Sequence, residues 1–289
     1  MSEMLTEPVL TEADKAFFDA NGYVVVKKAA PPENLQAVVN AIFEYLQMDA
    51  NNPDDWYRPP LTHGGMIEMY QHQALWNNRQ YPRIHRAFAD LFGTEKLWVS
   101  IDRANLKPPF RADHPEYDHK GFMHWDTDVT QADTAPFGVQ GVLYLTDTTE
   151  NMGGFQCSPG HHKIVREWAK GVEAGSGAKP DMTGVPVVPI AGEAGDLVIW
   201  DRNLYHGNGH NLSDKPRLAQ YITMFPVGTG GGFEMRREDR VMRWRERLPP
   251  DAKWVGKDDR NFEQRHGTTA ELTPLGRKLL GIDSWDTSE

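Results

Sequence analysis

The chain has 289 residues, 39% hydrophobic and 25% charged, with a formal net charge of −10. That composition suits a globular protein long enough to bury a large core, and the acidic balance argues against a nucleic-acid substrate, whose affinity draws mainly on phosphate neutralisation. Cys157 is the single cysteine, so no intrachain disulfide can form; with an acidic N-terminus and no apolar run of bilayer length, the expectation is a cytoplasmic protein.

In chain order, Thr11 to Ala20 reads as a helix, with Thr11 as N-cap and Asp14 at the acidic third position. Asn21-Gly22 ends it, and Tyr23 to Lys27 is a short β-branched strand. Pro31-Pro32 opens a second helix over about 33–47, with Leu35, Val38, Val39, Ile42, Phe43 and Leu46 on one face. Residues 50–80 carry no regular pattern, and a helix follows over about 82–91. From Lys96 the texture changes to short strands between turn signals: 97–106, 121–125, 137–146, 195–200 and 217–225. Strands at this spacing, without long helices between them, predict a sandwich or barrel. The expectation is one domain over 1–289: a β-core at about 97–226, N-terminal helices 11–91 packed around it, and a helical then irregular tail from 234. The basic stretch 235–247 reads as a solvated helix face.

The chemistry begins at His124-Trp125-Asp126. In a strand, positions i and i+2 share a face, so this pair offers an imidazole and a carboxylate to one point. Alone the pattern is common. It gains weight at 193–221, where a glycine turn, the strand 197–200 and His206 follow in order. A jelly roll would return His206 beside His124 and Asp126, and two histidines with one carboxylate form the facial triad of non-haem Fe(II) oxygenases. Arg217, eleven residues beyond His206, offers the bidentate fork that would hold the distal carboxylate of 2-oxoglutarate. His210 is a rival for the distal ligand.

These residues resemble the metal triad and co-substrate anchor of the phytanoyl-CoA dioxygenase family. Further landmarks match in order over roughly 12–226: FFDANGYVVVKKAAPPENL, LKPPF, GGFQCSPGHHK, GEAGDLVIWDRNLYHGNG and DKPRLAQY. The resemblance implies a mainly β fold with flanking helices, a double-stranded β-helix (jelly roll, cupin-like). It also implies Fe(II) and 2-oxoglutarate as cofactor and co-substrate, O2 as oxidant, and release of succinate and CO2. Because Asp126 stands where related halogenases have a small residue, hydroxylation is expected and halogenation is not. The family often has Gln where Trp125 stands, and Ser where Asn208 stands. Asn208 is assigned the co-substrate hydrogen bond of that serine, and Asn105 a place in the co-substrate pocket.

Arg103, Asn105 and Lys107 share a strand face polar enough to line that pocket, and Gln140 and Tyr144 lie in phase on a later strand. Long non-periodic loops are commonly functional, so 56–80 is expected to cover the iron, with Trp56, Tyr57, Met66, Met69, Tyr70 and Trp76 as apolar contacts and His63, Gln71 and His72 as polar ones. The substrate contacts singled out are Tyr70, His72, Trp76 and Tyr144. His114 and His119 would face the entrance, while His161 and His162 sit in a turn. The reading is a small-molecule oxygenase with no nucleic-acid or membrane partner. The alternatives are a metal-binding sensor without turnover and an oxygenase acting on nucleic acid or a protein side chain.

Overall fold

The computed structural model describes residues 5–118, 121–228 and 236–286. Helices α1 (Glu12–Asn21) and α2 (Pro32–Leu46) flank strand β1 (Tyr23–Val26), and a short strand β2 (Met66–Ile67) precedes helices α3 (Gln73–Arg79) and α4 (Pro82–Phe92). Strands β3 (Leu97–Val99), β4 (Ala104–Lys107), β5 (Phe122–His124), β6 (Val139–Tyr144) and β7 (Phe155–Cys157) lead to helix α5 (His161–Ala169). Then come β8 (Val188–Pro189), β9 (Leu197–Asp201), β10 (His206–Asn208), β11 (Arg217–Tyr221) and β12 (Met224–Pro226), followed by helices α6 (Arg237–Glu246), α7 (Phe262–His266) and α8 (Pro274–Leu280).

All the strand pairs are antiparallel. The larger sheet runs β1-β9-β6-β11-β4-β2, the smaller one β5-β10-β7-β8, and β12 pairs with β3 in a separate ribbon. The two main sheets meet through a buried cluster that includes Phe155 and Cys157 from the smaller sheet and Val142, Tyr144, Val198, Trp200 and Ala219 from the larger. A second, larger core lies between the outer face of the larger sheet and helices α2, α3, α4 and α8. β9 is buried along its whole length because it lies between β1 and β6 with a core on each face, which is why its sequence reads LVIWD without alternation.

The N-terminal elements follow local rules closely. Thr11 and Asp14 form a reciprocal capping box, and Gly22 closes α1 at φ 80, a left-handed cap that glycine adopts without strain. Two long predicted strands are each broken in two. The run 97–106 leaves the β12 ribbon at Val99 and enters the larger sheet at Ala104, and 217–225 breaks in parallel at Ile222-Thr223. Ser100 N donates to the Thr223 carbonyl and Ser100 Oγ accepts from Thr223 N, so the two breaks face each other across the sheet end.

The region 50–80 is more regular than its sequence, holding β2 and α3. The histidines expected in a turn open α5 instead, with His162 Nε2 3.1 Å from the Asp19 carbonyl oxygen. The basic stretch also departs from the reading. Met235 lies outside the described residues, and on α6 Arg240 is 0% exposed, donating to the carbonyls of Leu280, Leu279 and Val99. Arg237 bonds Gly281 and Ile282, and Arg243 bonds Pro249. Arg237 and Arg240 satisfy carbonyls around the end of α8 and Arg243 one just past α6, so these three guanidiniums are unavailable as a phosphate-binding stripe. Among the described residues no helix is long and apolar enough to cross a membrane.

Candidate active site

The register of the smaller sheet assembles the centre. β10 lies between β5 and β7, so His206 sits opposite His124 on one side and Cys157 on the other. Cross-strand partners share a sheet face, and the two imidazole centroids are 4.7 Å apart. Asp126, two residues past the end of β5, turns its carboxylate between them: Oδ1 is 3.2 Å from His124 Nε2, and Oδ2 is 3.2 Å from His206 Nε2. One ligand atom from each of the three falls within 4.8 Å of the others, a spacing that fits one metal ion.

The tautomer of His206 suits the same purpose. Its Nδ1–H donates to the Leu204 carbonyl at 2.8 Å, leaving the Nε2 lone pair directed at the cluster. Burial favours the neutral form of Asp126, but the adjoining His124 and His206 rings and the Gln140 amide hold the carboxyl well below its ordinary range. Gln140 Nε2 donates to Asp126 Oδ2 at 2.8 Å, orienting the carboxylate without touching the metal position. Outer contacts of this kind are worth about ten- to a hundredfold in metal affinity. Gln140→Ala should therefore weaken Fe(II) binding about tenfold in an anaerobic titration, with the thermal midpoint unchanged. His210, the rival ligand, is directed elsewhere: its Nε2 lies 3.0 Å from the Asp118 carboxylate.

Arg217 stands on the inner face of β11. It is 2% exposed, its Nε has no hydrogen-bond partner, and no carboxylate pairs with it among the described residues. Directly opposite is Lys107, also buried. Burial, then the charge of Arg217, push Lys107 down to about 7, while Asp118 pulls it back upward. Two cations facing each other away from water fit an anion between or beside them. Asn208 lines the main cavity and reaches the Tyr221 hydroxyl at 3.4 Å. Asn105 shares the inner face with the Arg217–Lys107 pair but does not line that cavity; its amide donates to the Gly64 carbonyl at 3.0 Å.

A cavity of about 460 Å³ opens from the cluster. Phe155 and Trp200 line it against His206, and Asp102, Arg103, Phe137, Arg202, Tyr221, Phe225 and Trp254 complete its wall. The four expected substrate contacts all lie off this wall. Tyr70 is buried, with its hydroxyl bonded to Glu68 and Arg103. His72 caps α3 by accepting from Ala74 N. Trp76 is a core residue whose Nε1 donates to Gln71. Tyr144 donates its hydroxyl to the Ile190 carbonyl at 2.6 Å, which satisfies it inside the core. Of the supposed lid, Met66 alone among the named residues lines the cavity. His114 stacks on Tyr57, His63 lies against the Glu116 carbonyl, and His119 is outside the described residues.

Three lining residues carried no functional signal in the sequence. Trp254 belongs to the irregular tail and is held by a stack against Arg103, whose Nη1 pairs with Glu68 at 2.7 Å. Asp102 falls in the gap between β3 and β4, where strand alternation no longer assigns a face; burial raises its carboxyl to about 6 against the pull of Arg103. Arg202 follows the last residue of β9.

The model of the phytanoyl-CoA dioxygenase (PhyH) family matches residues 18–219, most of the chain, including every member of the cluster and Arg217. The chain belongs to the phytanoyl-CoA dioxygenase family. A Dictyostelium discoideum protein that carries the family's name is 26% identical over 263 residues, covering 74% of this chain and 75% of its own length. Two solved structures share the fold. EctD from S. alaskensis, with bound Fe, has a TM-score of 0.52 at 20% identity, covering 79% of this chain and 81% of EctD. EvdO2 from Micromonospora carbonacea var. aurantiaca, complexed with 2-oxoglutarate, has a TM-score of 0.52 at 19% identity, covering 82% and 98%. At these identities the likeness carries the fold of the family member, and its chemistry must be argued from its own residues.

Proposed function

We propose that this family member is an Fe(II)- and 2-oxoglutarate-dependent oxygenase that hydroxylates a small molecule, built on a double-stranded β-helix. The observation that carries the reading is the His124–Asp126–His206 cluster, whose donor set and spacing fit ferrous iron. Arg217 adds a buried cation without a carboxylate partner among the described residues. The iron in EctD and the 2-oxoglutarate in EvdO2 are consistent with it. Bound together, ferrous iron and 2-oxoglutarate supply the oxidation of a C–H bond by O2, with 2-oxoglutarate leaving as succinate and CO2.

The chain's own residues have distinct tasks in this scheme. His124, Asp126 and His206 would hold the metal, and the cavity they line would admit co-substrate, O2 and substrate. Gln140 fixes the carboxylate and the Leu204 carbonyl fixes the His206 ring. Arg217, with Lys107 opposite, receives the distal carboxylate of the co-substrate. Ala219 stands between Arg217 and Tyr221 on the inner face, where a larger side chain would narrow the path between anchor and metal. Phe155 and Trp200, tilted against each other with centroids 4.5 Å apart, give the cavity apolar wall beside His206.

The test is substrate-independent turnover, measured as succinate formed from 2-oxoglutarate with Fe(II) under air. Slow succinate release that stops on iron removal supports the oxygenase. Iron and 2-oxoglutarate binding without any succinate would favour the sensor instead. Lys107 adds a pH signature. Its folded pKa lies near 7, below the ordinary lysine value, and a bound dianion raises it, so binding takes up a proton. Affinity for 2-oxoglutarate should accordingly fall as pH rises, by about tenfold between about pH 6.5 and 8.5. The same titration on Lys107→Met should be flat.

A further inference from the structure

We propose that Arg202 binds a carboxylate of the substrate, so that the enzyme oxidises an amphipathic organic acid whose apolar body lies along Phe137, Phe225 and Trp254. The inference rests on the oxygenase reading for its chemistry, but on the cavity alone for its recognition.

Arg202 lines the cavity. Its backbone N–H donates to the Gly138 carbonyl at 3.0 Å, which places it beside the residue preceding β6. A Cβ built on Gly138 would lie 2.9 Å from Arg202 Cδ, so the arginine stem runs across a position that only glycine leaves open. Two residues further along β6 is Gln140, which bonds Asp126. Gly138, which the arginine side chain crosses, is about 7 Å along the strand from the residue that orients the metal carboxylate. A group bound at Arg202 would hold the rest of its molecule over the cluster.

The other charges around the cavity have partners. Arg103 pairs with Glu68, and Asp102 accepts from Arg103 N. The nearest carboxylate in sequence, Asp201, is held by Arg166 at 2.5 Å and by Asn203 N. Among the described residues no carboxylate pairs with Arg202. Formal charge points the same way. A ferrous ion, Asp126, a dianionic co-substrate, Arg217 and the Lys107 protonated on binding sum to +1, so the positive charge of Arg202 adds to a net positive site and favours an anion as what enters last. A partly enclosed cation of this kind favours an anionic ligand and disfavours its neutral ester.

The apolar component belongs to the same cavity. Phe137 and Trp254, 43% and 36% exposed, line the cavity with large aromatic surfaces, and Phe225 of β12 lines it as well. Phe225 and Trp254 fall outside residues 18–219, the region matched by the family model.

The experiment uses the full chain, anaerobic, loaded with Fe(II) and 2-oxoglutarate. It is titrated with 3-phenylpropanoate, the methyl ester of that acid, and 2-phenylethylphosphonate, following quenching of indole fluorescence. The acid should bind about ten- to a hundredfold more tightly than the ester. Arg202→Gln should erase that difference and Arg202→Lys keep part of it, with unchanged melting temperatures. Equal affinity of acid and ester, discrimination that survives in Arg202→Gln, or no binding of any probe would overturn the proposal. Tighter binding of the phosphonate would overturn the carboxylate assignment. The visible charge-transfer band of the iron-bound co-substrate is recorded in the same cuvette. Its loss in Arg202→Gln would mean that Arg202 holds the co-substrate, which also overturns the proposal. Its absence in the wild type, with acid and ester still distinguished, would defeat the iron reading and leave the anion site standing.

Discussion

His206→Ala should lose the visible band formed with Fe(II) and 2-oxoglutarate and at least about a thousandfold of iron-dependent turnover, whereas His210→Ala should retain both. The difference follows from where each ring points. His206 is 4% exposed, its Nδ1 is committed to the Leu204 carbonyl, and its Nε2 faces Asp126. Removing it leaves a two-ligand site, and the buried carbonyl loses its donor. His210 is turned to Asp118 and to the ring of Phe110, off the cluster. Arg217→Ala gives a third pattern. It removes a buried cation that would meet a carboxylate, an interaction worth roughly 2–5 kcal/mol, so 2-oxoglutarate affinity should drop by about a hundredfold or more. Iron affinity measured without co-substrate should hold. If His210→Ala abolished the band and His206→Ala spared it, the ligand assignment would be wrong.

How far these residues were legible depends on the range of the contacts that place them. His124 and Asp126 were readable because two-residue alternation is a local property of a strand. His206 was readable because a glycine turn and a short strand precede it. Its neighbours were placed by register across β5, β10 and β7, which no local pattern encodes, and so the strand carrying His206 itself went unnoticed. The supposed lid failed for the opposite reason. Its aromatics and polar groups are used in packing against the distant tail: Glu263 accepts from the backbone of Tyr70 and Gln71, and Glu68 accepts from Gly256 N. Part of the cavity wall then comes from Trp254, in a segment with no periodicity to mark it. Arg237 and Arg240 of α6 misled in a similar way, because carbonyls they satisfy lie about forty residues on. Charge along a helix was read as solvent exposure, and the counter-example is Arg240, fully enclosed.

Gly207→Ala should be the most damaging single-methyl change near the centre. Gly207 pairs with Met123 in the register that sets His206 against His124. A Cβ built at Gly207 would lie 1.7 Å from the Phe122 carbonyl oxygen and 2.8 Å from its carbonyl carbon. Neither atom can move independently of the strand, because both belong to the backbone of β5. The φ of Gly207 is not left-handed, so backbone strain is not the cause; the cause is the close approach of two main chains. Accommodating the methyl requires β5 to separate from β10 and to carry His124 and the following Asp126 away from His206. Overpacking of a well-packed site typically costs about 1–3 kcal/mol, and backbone displacement puts this one at the upper end. The expected result is a lowered melting temperature together with loss of Fe(II) binding, although no ligand atom has been removed. Gly209→Ala is the control two residues on: its Cβ would meet the Gln156 side-chain oxygen at 3.2 Å, a group that can turn aside. If Gly207→Ala bound iron as the wild type does, the pairing of β5 with β10 could not be what brings the two histidines together.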